Sequence, residues 1–139
     1  MTQDFILNPQ LQQDCIQLGE LTSGLVLLMN NQHFPWIILV PFTEHTELHQ
    51  LERHTQQALM DDISQIGEWL QTNFHTDKIN TAAIGNIVSQ LHVHVIGRYK
   101  TDPCWPGVVW GNAPAAPYSE RQLADIQAKT LSLFRPAGE

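Results

Sequence analysis

Three nitrogen-bearing side chains recur at every second position of one short stretch of the chain: Gln90, His92 and His94. Side chains on a β-strand point alternately to opposite faces, so in a strand these three would form a row on one face. The apolar residues between them would face a core. A neutral imidazole can attack as a nucleophile, exchange protons or bind a metal ion. The spacing therefore predicts a chemical site carried on a rigid strand.

Two chemistries fit this row, and a purely structural role has to be weighed against both. A single strand histidine is usually half exposed or hydrogen-bonded within a core, but two of them beside a glutamine favour a function. His92 and His94 could converge on one metal ion, or they could act as a nucleophile and its partner. We predict no bound metal and no cofactor, because no obvious third ligand lies near the row in the sequence.

The composition limits the ligands that the chain can bind. It has 139 residues and a net charge of −7, and non-specific binding to nucleic acid or to an anionic membrane needs a basic surface. A small phosphorylated ligand remains compatible, because backbone N–H groups, histidines and amides can hold it. We expect a cytoplasmic protein: no apolar run is long enough to span a bilayer, residues 1–4 do not resemble a leader, and Cys15 and Cys104 are too few for a disulfide framework.

Other elements have to position the row, and apolar periodicity and helix caps predict them. Asn8 and Pro9 begin a first helix, which Gly19 ends. Ser119 and Gln122 form a capping box for the last helix. The predicted elements are a helix at 9–18, a hairpin of strands at 21–29 and 36–40, a long helix at 43–74, strands at 78–83 and 88–98, and a helix at 120–134.

The stretch at 90–96 resembles the signature of the histidine triad (HIT) family, His-φ-His-φ-His-φ-φ, where φ is apolar. His92 and His94 match the second and third histidines of that signature, and Gln90 stands where the family has the first. The resemblance covers about residues 20–111. Other segments also resemble the family pattern. They are Asn80 and residues 85–88 before the triad, residues 35–41, which resemble the family's strand that ends in Val-x-Pro, and a Trp-Pro segment at residues 105–107.

The resemblance implies an α+β fold, in which one long helix packs on an antiparallel sheet of about five strands. It implies a single HIT-like domain over residues 1–139, with a core at about 20–111 and a C-terminal helix at about 119–134. It also implies a homodimer, in which the sheet extends from one subunit to the other.

The function that the resemblance implies is a nucleotide hydrolase or nucleotidyl transferase with a small-molecule nucleotide as its partner. His92 would attack the α-phosphorus of a nucleoside phosphate ester, anhydride or phosphoramidate, and water would then cleave the nucleotidyl-histidine. His94 and Gln90 would complete the catalytic row by donating hydrogen bonds to the phosphoryl oxygens. The substrate-binding candidates are Asn30, Asn80, Asn86 and Trp105.

Gln90 is the main departure from the family pattern. A glutamine can donate or accept a hydrogen bond, but it cannot carry a proton. If the first histidine protonates the leaving group, substrates with poor leaving groups should react slowly here. The alternative function is a non-catalytic nucleotide-binding module with a degraded triad. Structural alternatives also stay open for Asn30, as a turn residue, and for Trp105, as a buried packing residue.

Overall fold

An antiparallel sheet of five strands forms the centre of the protein, in the order β1-β2-β3-β5-β4. The structure is a computed structural model that describes residues 5–134. The expectation of no leader rested on residues 1–4, which lie outside the described residues. The predicted α+β fold is confirmed. Its elements are α1 (Pro9–Asp14), β1 (Cys15–Glu20), β2 (Gly24–Met29), β3 (Trp36–Pro41), α2 (Arg53–Phe74), β4 (Lys78–Ala82), β5 (Val93–Arg98) and α3 (Glu120–Leu133).

One face of the sheet, the helix face, packs against α2 and α3. Val93 and Val95 of β5 point to this face and join one apolar cluster with Ile66 and Leu70 of α2. Leu91 joins the same cluster, which confirms the predicted alternation between apolar residues and the row. Burying apolar surface on this face supplies the main driving force that holds the helices on the sheet.

The opposite face, the histidine face, bears Trp36, Ile38, His94 and Ile96, because residues that pair directly across neighbouring strands share a face. A second apolar cluster covers it, built from residues before and within α1 and from residues 104–113. Every residue of β3 and of β5 is buried. His94, the last member of the row, therefore lies on a completely buried strand.

Three predicted boundaries are wrong by four residues or more, and each has a physical reason. The helix predicted at 9–18 ends at Asp14, and residues 15–20 are β1, because the alternating apolar residues there pair with β2. The helix predicted at 43–74 begins at Arg53; before it lies only a short 3-10 turn, Leu48–Gln50, whose backbone the side chains of Glu47 and Gln50 cap. The strand predicted at 88–98 begins at Val93, because β4 ends where Ala82 pairs with His94.

Local signals predicted the pairing of the hairpin and the last helix correctly, although the first hairpin strand, predicted at 21–29, begins at Gly24 after a turn. The turn before β2 lets Gly24 lie against Val40, where an added Cβ would overlap the carbonyl oxygen of Val40. The predicted capping box at Ser119 and Gln122 is present at the start of α3. Within residues 5–134, no helix combines the length and the apolar character that a membrane crossing needs.

Candidate active site

His92 and His94 meet at the N-terminal end of β5, where the ladder of hydrogen bonds begins. His94 lies within the ladder, opposite Ile38 on one side and Ala82 on the other. His92 immediately precedes the strand, and its ring lies 5.0 Å from that of His94, centroid to centroid. Each residue is only 6% exposed. The strand therefore holds both rings in fixed positions with little access to solvent.

The Nδ1 atom of His92 lies 2.6 Å from the backbone carbonyl oxygen of Gln90. A carbonyl oxygen can only accept a hydrogen bond, so Nδ1 carries the proton, and the lone pair of the neutral ring lies on Nε2. His92 also lines a cleft of about 250 Å³ between residues 46–49 and 83–85. Among the described residues, the Nε2 lone pair has no hydrogen-bond partner, so it is a candidate nucleophile.

His94 has a different partner. The indole Nε1 of Trp36 donates a hydrogen bond to Nδ1 of His94 over 3.0 Å, and the ring of Trp110 packs edge-on against His94 with centroids 5.1 Å apart. Burial, with a smaller contribution from the neighbouring His92, lowers the pKa of His94 to about 4. His94 is therefore neutral at physiological pH.

The side chain of Gln90 binds the segment before α1. Its Oε1 accepts a hydrogen bond from the backbone N–H of Asn8 over 2.8 Å, and its Nε2 donates one to the carbonyl oxygen of Ile6 over 3.0 Å. Residues 5–9 form one wall of a second cleft of about 780 Å³. The two clefts share Thr46 and Ser89, so they adjoin, and His92 lines the smaller of them.

The four candidate substrate-binding residues lie in three different places. Asn86 is exposed in the loop after β4, of which residues 83–85 line the smaller cleft. Asn30 accepts a hydrogen bond from the backbone N–H of Tyr118 over 2.9 Å. Asn80 and Trp105 both contact the guanidinium of Arg98: Asn80 accepts a hydrogen bond of 2.8 Å, and the Trp105 ring lies 5.6 Å away. Only Asn86 is close in sequence to residues that line a cleft with His92.

Arg98 is the buried cation of the histidine face. It is 1% exposed and forms two hydrogen bonds with the carboxylate of Asp102, at 2.8 Å and 3.0 Å. The ring of Phe34 also packs on it, with a centroid distance of 5.5 Å. Because all of these contacts are internal, Arg98 stabilises the loop after β5 and is not available to a phosphate in either cleft.

Trp36 and residues 5–8 contribute contacts that the sequence analysis did not assign. Trp36 reaches His94 because its strand pairs with β5 in the register that sets Ile38 opposite His94. Gln90 reaches Asn8 across 82 residues of sequence. No local pattern encodes either contact, although the register of the two strands, if known, would have placed Trp36 on the face of the row.

Within residues 5–134, no three His, Cys, Asp or Glu side chains cluster as a metal site would need.

Comparison with known proteins assigns this arrangement to a family. The model of the HIT domain family matches residues 10–101, about two thirds of the chain. This chain belongs to the HIT domain family. The predicted resemblance is thereby confirmed.

Solved structures of histidine triad proteins superpose on nearly the whole chain. One from Marinobacter aquaeolei VT8 is 45% identical, with a TM-score of 0.89, and covers 93% of this chain and 95% of its own. One from Sinorhizobium meliloti 1021 is 37% identical, and one from Bradyrhizobium japonicum is 32% identical; each has a TM-score of 0.90 and covers 94% of this chain and 98% of its own. No curated protein is similar enough to this chain to count as a match. Family membership supports a nucleotide-related hydrolase or transferase at a general level.

Proposed function

We propose that this protein is a nucleotide hydrolase or nucleotidyl transferase that forms a covalent nucleotidyl intermediate on His92. The observation that carries the proposal is the hydrogen bond between Nδ1 of His92 and the carbonyl oxygen of Gln90. It holds the ring in the tautomer whose Nε2 is a nucleophile, and it stabilises the positive charge that the ring gains on attack. The position of His92 in the wall of a cleft supports its access to a substrate.

The reaction proceeds in two displacements at the α-phosphorus. In the first, the lone pair of Nε2 forms a bond to phosphorus, and the bond from phosphorus to the leaving group breaks with its electron pair. In the second, the oxygen of a water molecule forms a bond to the same phosphorus and the P–N bond breaks with its electron pair returning to Nε2. The water releases a proton to solvent, and His92 recovers its neutral ring. In a transferase, the acceptor replaces the water. His94, whose ring lies 5.0 Å from that of His92, would donate a hydrogen bond to the phosphoryl oxygens.

Substrate binding divides between direct and indirect contributions in this proposal. Asn86, on the exposed loop beside the smaller cleft, is the candidate for direct contact with the substrate. Asn30 would act by holding the segment that leads into α3, and Asn80 and Trp105 by holding Arg98 and its loop. Gln90 would contribute to the catalytic row through its backbone carbonyl and through the segment that its side chain binds.

The charge of the clefts favours a substrate with a single phosphate next to the nucleoside. Among the described residues that line the two clefts, none is a lysine or an arginine, and Glu44 and Glu47 add negative charge. A chain of several phosphates would find no cation there to neutralise it. The partner is accordingly a small nucleotide.

The proposed assembly is a homodimer formed through β4. This strand lies at one end of the sheet, so one of its sides offers unpaired backbone groups for another strand. The loop that follows it exposes Ile84 and Ile87, the latter 96% exposed. Light scattering should give twice the 15.8 kDa of one chain, and a mass of one chain at micromolar concentration would exclude the dimer.

The two cysteines, both free, are consistent with the reducing cytoplasm that we propose as the compartment of this protein.

A panel of nucleotides tests the proposed activity. Adenosine and guanosine phosphoramidates, aryl esters and dinucleoside polyphosphates are incubated with the protein in EDTA, and nucleotide release is measured. We expect release by the wild type and a loss of at least about a thousandfold in His92→Ala, because removal of a covalent nucleophile abolishes the first step. His54→Ala is the control, because that side chain is 79% exposed on α2. Full activity of His92→Ala would exclude the mechanism.

A nucleotide-binding module without catalysis is the second candidate, and the glutamine in the row favours it. Gln90 cannot carry a proton, and its amide already binds Asn8 and Ile6. This function predicts micromolar nucleotide binding by calorimetry with no release of product over hours. Absence of any nucleotide binding would exclude it.

A further inference from the structure

We propose that Trp36 fixes His94 as a neutral hydrogen-bond donor. The row then contains no acid able to protonate a leaving group. The substrate must therefore carry a leaving group that is stable as an anion. This inference rests on the proposed role of His92 as the nucleophile. It concerns how the negative charge on the leaving group is handled, and three independent contacts support it, one for each member of the row.

The contact between Trp36 and His94 determines which nitrogen of His94 carries the proton. An indole N–H is a donor only, and it lies 3.0 Å from Nδ1 of His94. Nδ1 must therefore present its lone pair, and the proton of the neutral ring lies on Nε2. Trp36 is 7% exposed and His94 is 6% exposed, so water does not compete for this hydrogen bond.

The same contact opposes protonation of His94. An imidazolium carries hydrogens on both nitrogens, so a proton on Nδ1 would point at the indole N–H, and the hydrogen bond would be lost. The charge would also be buried against His92, the titratable group that packs on the His94 ring; Trp36 and Trp110, its other ring neighbours, do not titrate. The lowering of the His94 pKa to about 4 agrees with this geometry. Neutral His94 could release its Nε2 proton only by becoming a buried imidazolate anion, so it donates a hydrogen bond and keeps the proton.

The other two members of the row cannot supply the proton either. Gln90 is an amide, and both of its polar atoms bind the segment before α1. His92 uses Nε2 to attack phosphorus, and its remaining proton, on Nδ1, points at the carbonyl oxygen of Gln90. When the N–P bond forms and the bond to the leaving group breaks, the electron pair leaves with the leaving atom, and any proton it later gains comes from solvent.

This arrangement selects a class of substrate. Leaving groups that depart as stable anions, such as the carboxylate of an acyl phosphate anhydride or the phenolate of an aryl ester, need no acid catalyst. Amines and alkyl alcohols do need one and should react slowly. Phosphate chains are also acceptable leaving groups chemically, but the described residues that line the clefts offer them no lysine or arginine. The inferred substrate is a nucleoside monophosphate joined to a carboxylate or to an acidic hydroxyl group.

A series of aryl esters of AMP, which differ only in the ring substituent and hence in the pKa of the phenol, tests the inference. The readout is the rate of the first burst of phenol, which reports nucleotidylation of His92. We expect a steep dependence in the wild type, approaching about tenfold for each unit of phenol pKa, as for departure of an unprotonated anion. Gln90→His restores a titratable group to the row and should flatten the dependence. Gln90→Ala is the matched control: it also frees residues 5–8 but adds no acid, so its dependence should stay steep.

A second readout does not depend on activity. Nitrogen-15 NMR of the histidine rings should show His94 of the wild type with a proton on Nε2 and none on Nδ1 at pH 7. Trp36→Phe should shift the ring toward a mixture of tautomers, whereas Trp110→Phe, which removes a ring contact but no hydrogen bond, should not. A proton on Nδ1 of His94 in the wild type would overturn the inference.

The kinetic outcomes separate this inference from the proposed function. A shallow dependence on phenol pKa, with turnover that is lost in His92→Ala, would overturn the inference and leave the nucleophile in place. No turnover of the most reactive ester by the wild type would overturn the proposed function and the substrate class together, and the NMR result would still decide the state of His94.

Discussion

The rings of His92 and His94 lie 5.0 Å apart, and their hydrogen-bond partners give them opposite tautomers. The carbonyl oxygen of Gln90 accepts from Nδ1 of His92, whereas the indole of Trp36 donates to Nδ1 of His94. At Nε2, His92 therefore presents a lone pair and His94 presents a proton. Two histidines that are two positions apart thus present opposite groups at Nε2, so the roles proposed for them, nucleophile and hydrogen-bond donor, are not interchangeable.

His94 should make the stability of the protein depend on pH. Its pKa of about 4 in the folded state is below the value of 6.5 in the unfolded chain. The stabilisation that this difference in pKa gives to the folded state is complete above about pH 6.5. It is lost as the pH falls toward 4, because the unfolded chain binds the proton first. The full pKa shift of His94 corresponds to about 3 kcal/mol of unfolding free energy.

A variant that does not titrate isolates this contribution. In His94→Gln the amide oxygen can still accept from Trp36, and all other titratable groups are unchanged. Urea unfolding should show the wild type more stable than the variant at pH 7, with the difference much reduced at pH 4.5. A difference in unfolding free energy that is the same at both pH values would show that His94 does not titrate as described.

The two hydrogen bonds of Gln90 should control the order of residues 5–8. Gln90→Glu keeps the acceptor for the N–H of Asn8, but it places a carboxylate oxygen against the carbonyl oxygen of Ile6. We expect hydrogen exchange at the amide of Asn8 to accelerate by about tenfold or more, which corresponds to loss of about 1.4 kcal/mol of local stability. Gln32→Glu, at an exposed contact with the carbonyl of Pro117, serves as the control. Unchanged exchange at Asn8 in Gln90→Glu would contradict the anchoring role.

The ion pair of Arg98 and Asp102 should be essential for stability. Both side chains are almost completely buried, at 1% and 2% exposure. Asp102→Asn leaves an uncompensated buried guanidinium, and loss of one partner of such a pair costs about 3–5 kcal/mol. The exposed pair of Glu52 and His54 is the comparison, and Glu52→Gln should leave the urea midpoint unchanged. If Asp102→Asn unfolded at the wild-type urea concentration, the pair would not hold the loop in place.

Gly24 should tolerate no side chain, in contrast to Gly67. An added Cβ at Gly24 overlaps the backbone of Val40, which cannot move without disturbing β3. Gly67 lies within α2, and its added Cβ would meet only Ile79 at 3.9 Å. Gly24→Ala should therefore lower the melting temperature markedly, whereas Gly67→Ala should stabilise the protein by about 0.5–1 kcal/mol. The opposite order of the two melting temperatures would contradict the packing described for Gly24.

The sequence predicts the features that depend on neighbouring residues. The capping box of Ser119 and Gln122 and the alternation of Leu91 with the row were both readable within a few positions. The family signature predicted His92 and His94 as site residues in the same way. These features need no information from distant parts of the chain.

The remaining features depend on contacts between distant segments. Trp36 and His94 are 58 residues apart and meet only through the register of two strands. The strand that carries His94 is shorter than predicted because its pairing with β4 ends at Ala82. The apolar residues after Asp14 fit a helix or a strand equally well by spacing, and pairing with β2 decided between them.

Trapping the covalent intermediate decides whether His92 is the nucleophile. The wild type is mixed with the 4-nitrophenyl ester of AMP in EDTA, quenched within one turnover at alkaline pH to preserve a P–N bond, digested, and examined by mass spectrometry. We predict a nucleotidyl group on the peptide that contains His92, localised to that residue and absent from His92→Ala. A nucleotidyl group on any other residue, or turnover of the ester by His92→Ala at the wild-type rate, would contradict the account.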